Sequence, residues 1–253
     1  MIKVTLITST YNASKTLAHC LLSVGSQTVV PEHLIIDGCS TDQTLKIAGE
    51  YTGHQLQIFS EPDNGIYDAM NKGLRKATGD IVGILNADDF YATPYVLEKV
   101  VNIFEDESVD ACYGDLCYVD YHETDRVVRY WQSKEYNYRK FYSGWMPPHP
   151  TFFVRKTVYD RFGLFNPDLG SAADYELMLR FLVRQRLKTV YLPEVLVKMR
   201  IGGISNSNLV NRLRANKMDR MAWSVNGLHP YPWTLTLKPL RKIGQWIVKA
   251  PGK

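Results

Sequence analysis

Apolar and polar positions along this chain switch repeatedly between two periods. Residues 3–10 (KVTLITST) form a short run of β-branched and apolar residues that stops at Tyr11-Asn12, the mark of a strand ending in a loop. Residues 14–27 place Leu17, Cys20, Leu21 and Val24 at helical spacing, with Ser14 as candidate N-cap. Strand-like segments follow at 33–37, 55–60 and 80–85, separated by helical segments at 41–51 and 65–77, the latter closed by Gly79. Strand and helix thus alternate through roughly the first 90 residues, which predicts a mostly parallel, twisted sheet flanked by helices. Ligands of such α/β sheets bind at the carboxyl ends of the strands. The polar clusters after residues 10, 37 and 85 all lie there.

Beyond residue 92 the pattern loosens. It predicts a helix over 93–104, antiparallel hairpin strands within 111–130, and a strand over 151–154 fed by Pro147-Pro148-His149-Pro150. A helix is expected over 173–183 after a loop at 166–171, then a short strand at 188–191, a loop at Gly202-Gly203 and a long helix over 206–226. The expected organisation is a 1–205 domain, split into a nucleotide-binding half (1–92) and an acceptor half (93–205), with a helical extension over 206–253.

Composition narrows the class. With 253 residues, 45% hydrophobic and 22% charged, the chain has enough apolar material for a sizeable core and is neither disordered nor collagen-like. No apolar run approaches the roughly 18–20 residues that a membrane span needs. Met1-Ile2-Lys3-Val4 leads straight into strand-like sequence, so no secretory signal is expected. Cys20, Cys39, Cys112 and Cys117 form no CxxC pair, which predicts reduced thiols and a cytoplasmic location. The net charge of +4 hides a division: residues 212–253 carry nine basic residues against Asp219 alone, and the rest of the chain is net −4. Within 233–248, Leu240, Ile243 and Ile247 share one helical face with Trp246 beside them, while Arg241 and Lys242 lie elsewhere. That arrangement suits a helix lying on an anionic membrane surface, with packing on the body or on another subunit as the alternative. No motif supports nucleic-acid binding, and a homo-oligomer is left open.

Three clusters carry candidate chemistry. In Asn86-Ala87-Asp88-Asp89, two adjacent carboxylates at the end of a buried strand repel one another unless solvated or bound to a cation. A hard divalent ion, completed by a diphosphate, is one answer, and a solvated turn or helix cap is the other. Asp37-Gly38-Cys39-Ser40-Thr41-Asp42 offers Asp37 as an acceptor for a ribose or base, or as a cap of the next helix. Asp174 and Glu176 open a helix two residues apart and so point away from each other; one of them facing a cleft would be a general base, and a first-turn acid is the alternative. There is no GxxxxGK[ST], no GxGxxG after the first strand and no GxSxG.

Taken together, these segments resemble the inverting, nucleotide-sugar-dependent family 2 glycosyltransferases of GT-A fold, and most of all the bacterial branch that builds O-antigen and other surface polysaccharides. The resemblance rests on residues 7–12 (ITSTYN), 37–42 (DGCSTD), 61–73 (EPDNGIYDAMNKG), 86–89 (NADD), 149–153 (HPTFF), 173–177 (ADYEL) and 200–205 (RIGGIS), in the family's order. It implies that Ser9, Thr10, Tyr11 and Asp37 line the nucleotide pocket, joined on the donor side by Asp63, Lys72 and Arg200. It implies Asp88 and Asp89 as ligands of Mg2+ or Mn2+, Asp174 as catalytic base, and His149 and Glu176 on the acceptor side. Gly38 stands where the family often has a second acid, Asn86 where the metal motif often has its first Asp, and Ala173 where many members have Glu. The Gln-x-x-Arg-Trp signature of processive synthases is absent. The activity implied is transfer of one sugar from a UDP-sugar to a glycan or a polyprenyl-diphosphate-linked acceptor, by an enzyme peripheral at the inner face of the membrane. The alternative is a sugar-nucleotide or glycan-binding module without catalysis. A nucleotidylyltransferase is disfavoured, because residues 8–12 (TSTYN) contain no glycine.

Overall fold

The computed structural model describes residues 2–202 and 209–245, and for 209–215 and 242–244 the backbone path alone. One mixed sheet runs through it. One half of it is parallel: β3 (Leu56–Ser60), β2 (Glu32–Asp37), β1 (Val4–Thr10) and β4 (Ile81–Ile84) lie side by side in that order. Every residue of β1 is buried, as a central parallel strand covered on both faces requires. The connecting helices α1 (Leu17–Gly25), α2 (Thr44–Glu50) and α3 (Ile66–Lys76) match the alternation expected from the sequence. Asp68 in the first turn of α3 and Arg75 and Lys76 in its last turn complement the helix dipole.

Ser14 caps nothing. The first helix begins at Leu17, and the Ser14 main-chain N–H instead donates to Asp42 Oδ2 at 3.1 Å. The short β5 (Asp89–Tyr91) precedes α4 (Val96–Phe104), so two residues of the acidic motif's surroundings sit in a strand that local pattern does not predict.

The second half continues the same sheet. β8 (Phe153–Arg155) pairs antiparallel with β4 and with β6 (Ala111–Val119), and β6 pairs antiparallel with β7 (Val127–Trp131), the expected hairpin. The strand expected over 188–191 is much longer: β9 (Thr189–Arg200) runs parallel to β6 and antiparallel to β5. Pro193 interrupts its local signal, and pairing on both sides overrides it. Helix α5 (Lys156–Phe162) follows β8. Helix α6 (Ala173–Met178) passes into a π-helical turn, Leu179–Arg184, rather than continuing as a plain α-helix.

Side chains of α1 and α4 cover one face of the sheet over Leu6, Leu85 and Leu116; α3 and α6 cover the other over Ile7, Ile36 and Tyr113. The C-terminal extension belongs to this second core. Trp223 of α7 (Leu209–Val225) is fully buried, and Leu235 of α8 (Thr234–Gly244) packs there too. Gly144, at φ +80°, lets the backbone of Lys238 come so close that a Cβ would meet its nitrogen at 2.4 Å. The described part of 233–248 is therefore a helix packed on the body, the alternative to a free-lying one; residues 246–248 of the expected stripe fall outside the described residues.

Candidate active site

Two loops at the carboxyl ends of β1 and β2 are sewn together. Asn12, at φ +50°, gives its side-chain oxygen to the N–H groups of Thr41 (2.9 Å) and Asp42 (3.3 Å), while its own N–H reaches Ser40 Oγ at 2.8 Å. Asp37 is fully buried and accepts from Thr10 Oγ1, Ser60 Oγ, and both the N–H and hydroxyl of Ser40. Burial pushes its carboxyl up, but these donors outweigh it and hold the group below its ordinary value. With four donors already in place, Asp37 holds the loop. Gly38 then makes room for a different acid: a Cβ there would meet Asp63 Oδ2 at 2.4 Å, so the Asp63 carboxylate sits directly over the glycine. Lys72 Nζ is tied to the Pro62 carbonyl and to Glu61 (3.6 Å) and Asp68 (3.8 Å), steadying the segment that carries Asp63. Tyr11 stands 68% exposed at the rim, and Ser9 Oγ is buried with no hydrogen-bond partner.

The end of β4 holds the acidic pair. Asp89 lies on β5, fully buried, whereas Asp88 is half-buried on the open side. Burial raises both carboxyls, and the Asp88 charge raises Asp89 further. Asn86 Nδ2 donates to Asp89 Oδ2 at 3.0 Å, but Asp89 Oδ1 and Asn86 Oδ1 are buried without partners. Two orphaned acceptor oxygens beside two raised carboxylates are the donor set of a hard cation, so these residues fit a divalent ion. Among the described residues no third His, Cys, Asp or Glu joins them. The orphan oxygen of Asn86 makes it a third candidate ligand, which its amide identity concealed in the sequence.

Arg200, 6% exposed at the end of β9, braces this loop. One guanidinium nitrogen donates to the Asp88 carbonyl at 2.6 Å, and another to His19 Nδ1. His19 stacks on Phe90 with ring centroids 4.2 Å apart. Burial, then the charges of Arg200 and Lys198, lower the His19 pKa, so its Nδ1 stays free to accept.

Asp174 opens α6 half-buried, its Oδ1 accepting from the Tyr175 N–H at 2.7 Å. Burial, then the nearby Asp174 charge, push the Tyr67 phenol of α3 well above its usual value, so Tyr67 remains a proton donor. His149 is buried edge-on against Phe165, at 5.4 Å between centroids, and burial lowers its pKa against the opposing charge of Asp174. Asn71, one turn after Tyr67, clamps Phe165 by two bonds: its amide donates to the carbonyl and accepts from the N–H, both at 3.0 Å. Helix α3 of the N-terminal half thus fixes the loop that leads to Asp174.

The charges of Asp89 and Asp174 converge on one side chain. Tyr118 of β6 and Asp89 of β5 flank Met199 in register, and the Tyr118 phenol feels the charges of both Asp89 and Asp174. Arg129 stacks on that ring at 3.5 Å. Glu176, expected on the acceptor side, is elsewhere: it is 4% exposed, bidentate to Arg180 at 3.0 and 2.9 Å, and also accepts from Asn226. Two positions along a helix turn it into the core, and it serves packing. Asn12, Tyr67, Asn71 and Tyr118 escaped the sequence analysis as site residues. The first three lie inside motifs already singled out, whereas nothing local marks Tyr118.

The sequence profile of Glycosyl transferase family 2 matches residues 5–163. A PGL/p-HBAD biosynthesis glycosyltransferase of Mycobacterium bovis BCG is 30% identical over 208 residues, spanning 80% of this chain and 78% of its own. Among solved structures, S. aureus TarS 1-349 in complex with UDP-GlcNAc superposes with TM-score 0.65 at 19% identity, covering 97% of this chain and 79% of its own. The mannosyltransferase PcManGT from Pyrobaculum calidifontis, in complex with GDP-Man and Mn2+, does so at TM-score 0.62 and 18% identity, covering 99% and 76%. The fold shared with these proteins is α/β of GT-A type.

Proposed function

Because the chain belongs to glycosyltransferase family 2, we propose that it moves one hexosyl unit from a UDP-sugar to an acceptor hydroxyl, with inversion at the anomeric carbon. The observation that carries this reading is the cation-ready cluster with the orphaned oxygens of Asn86 and Asp89, whose charge reaches the same Tyr118 ring as that of the half-buried Asp174.

On the donor side, Ser9, Thr10 and Tyr11 line the nucleotide pocket, and Asp63 over Gly38 meets the base in place of the saturated Asp37. Arg200 lies beside the diphosphate, held by His19 and the Asp88 carbonyl. A divalent ion held by Asp88, Asp89 and Asn86 would neutralise charge building on the departing diphosphate. Asp174, oriented by its own helix start and by Tyr67, takes the proton of the acceptor hydroxyl. That oxygen attacks C1 from the face opposite UDP; the C1–O bond to the diphosphate breaks, and UDP leaves. A positioned base contributes about 10²–10⁴-fold. The UDP-GlcNAc complex of TarS supports a UDP donor, and the Mn2+ complex of PcManGT supports a divalent ion.

The acceptor proposed is a polyprenyl-diphosphate-linked or oligosaccharide chain of surface-polysaccharide synthesis of O-antigen type, met at the cytoplasmic face of the membrane. The 1–205 catalytic unit and the 206–253 extension remain the proposed division of labour. Among the described residues no helix is long and apolar enough to cross a membrane. The test is a panel of nucleotide sugars assayed for Mn2+-dependent cleavage, with the anomeric configuration of the first product read by NMR. An inverted product supports the proposal. Nucleotide binding without cleavage of any donor identifies a binding module, and a retained configuration removes the assignment of Asp174.

A further inference from the structure

An exposed aromatic and basic patch lies outside the cleft, gathered from three separate parts of the chain. Tyr138 and Tyr142 belong to the 3-10 turn Tyr138–Ser143; Arg186 follows the π-helical turn; Tyr231 and Trp233 lead into α8. They form two touching groups joined by the Tyr138–Ser143 turn. Arg186 lies 4.3 Å over the Tyr138 ring, and Arg139 Nε donates to the Tyr138 hydroxyl at 3.2 Å. Tyr142 meets Tyr231 at 5.1 Å between centroids, and Tyr231 meets Trp233 at 5.2 Å. Tyr231 is 51% exposed and Trp233 54%, the two arginines stand in solvent, and neither pairs with a carboxylate among the described residues.

Two features of this patch have no internal explanation. Large aromatic rings with polar tips are left half in water, although buried positions stand next to them at Thr234 and Leu235. Two arginines that would each gain from an acid are given aromatic faces instead. The remaining basic anchors on this side are already committed: Lys238 to Asp219 at 2.7 Å, and Arg241 to the Ser143 carbonyl at 2.6 Å. Arg139 and Arg186 thus carry positive charge that no carboxylate among the described residues pairs with, beside the exposed apolar area of Tyr231 and Trp233.

We propose that this patch is a docking surface for an anionic phospholipid bilayer. Charge complementarity selects the lipid headgroups, and the Tyr231–Trp233 pair enters the headgroup layer, where amphipathic rings are favoured. Asp174 and Arg186 stand at opposite ends of one segment, α6 followed by its π-helical turn, which ties the patch to the helix that carries the proposed base. The inference deepens the proposed function by naming the surface on which the lipid-linked acceptor is met. It differs from the expectation drawn from the terminal stripe, because its residues come from the body as much as from the extension.

The test is flotation of the full-length chain with phosphatidylcholine vesicles, with or without phosphatidylglycerol, at low and high salt. Binding to the anionic vesicles alone is expected, with Arg139→Glu/Arg186→Glu lowering the partition coefficient about tenfold or more at low salt. Trp233→Ser should weaken binding at both salt concentrations. Equal flotation of wild type and both variants overturns the proposal. So does loss of binding only when residues 246–253 are removed, or a change in oligomeric state, read by sedimentation, in place of vesicle affinity. Thermal stabilisation by UDP is measured in parallel: if wild type lacks it, the transferase reading fails whatever the vesicles show.

Discussion

Four donors around Asp37 and none around Asp89 Oδ1 show how differently two buried carboxylates can be used. The first is satisfied by its own loop; the second keeps an oxygen that no donor of its loop meets. A third buried titratable group, His33, makes a prediction of its own. It bridges Thr8 Oγ1 at 3.0 Å and His54 at 2.8 Å, and burial, then His54, push its pKa down to about 3. The unfolded chain binds a proton near pH 6.5, so stability from this residue is complete above that value and is lost as pH falls toward 3. About 2 kcal/mol should disappear between pH 7 and pH 5 from His33 alone. Urea denaturation at the two pH values checks it: His33→Leu, whatever its starting stability, should show a flatter dependence, and an equal slope would remove His33 as the cause.

Helix α3 connects the two halves of the site. Its amphipathic spacing and its GIYDAMNKG motif were legible in the sequence, whereas its task was not, because Asn71 and Phe165 are 94 positions apart. The same limit explains β9. Pro193 and a mixed pattern suggest a short strand, and only the partners β6 and β5 make twelve residues extended. Asn71→Ala strands a buried N–H and carbonyl of Phe165, which should cost about 2 kcal/mol or more. If the clamp positions Asp174, kcat should also fall while the donor KM stays near wild type. A KM that rises with kcat unchanged would make Asn71 a donor-side residue instead.

The whole molecule divides less sharply than its charge does. The extension expected over 206–253 looked separate in composition, yet Trp223 donates to the Tyr175 hydroxyl at 3.0 Å, and Lys238 lies 3.6 Å over the Tyr175 ring. Tyr175 is the neighbour of Asp174, so the extension buttresses α6, the helix that carries the proposed base. Lys238→Ala leaves Asp219 nearly buried and unpaired, which should cost about 3 kcal/mol in chemical denaturation. Adding Asp219→Asn should recover part of that loss; no recovery would mean that contact with the ring, not the charge pair, was what mattered.

Local pattern and motif order announced the donor half and the position of Asp174, because those residues lie at strand and helix ends. The fate of Glu176 was not legible, since Arg180 and Asn226 claim it only in three dimensions. Asp174 carries the proposed chemistry most directly, and the decisive measurement is hydrolysis of the preferred nucleotide sugar by Asp174→Asn. The rate should fall about 10²–10⁴-fold with the UDP dissociation constant unchanged. Wild-type turnover in that variant would contradict the account.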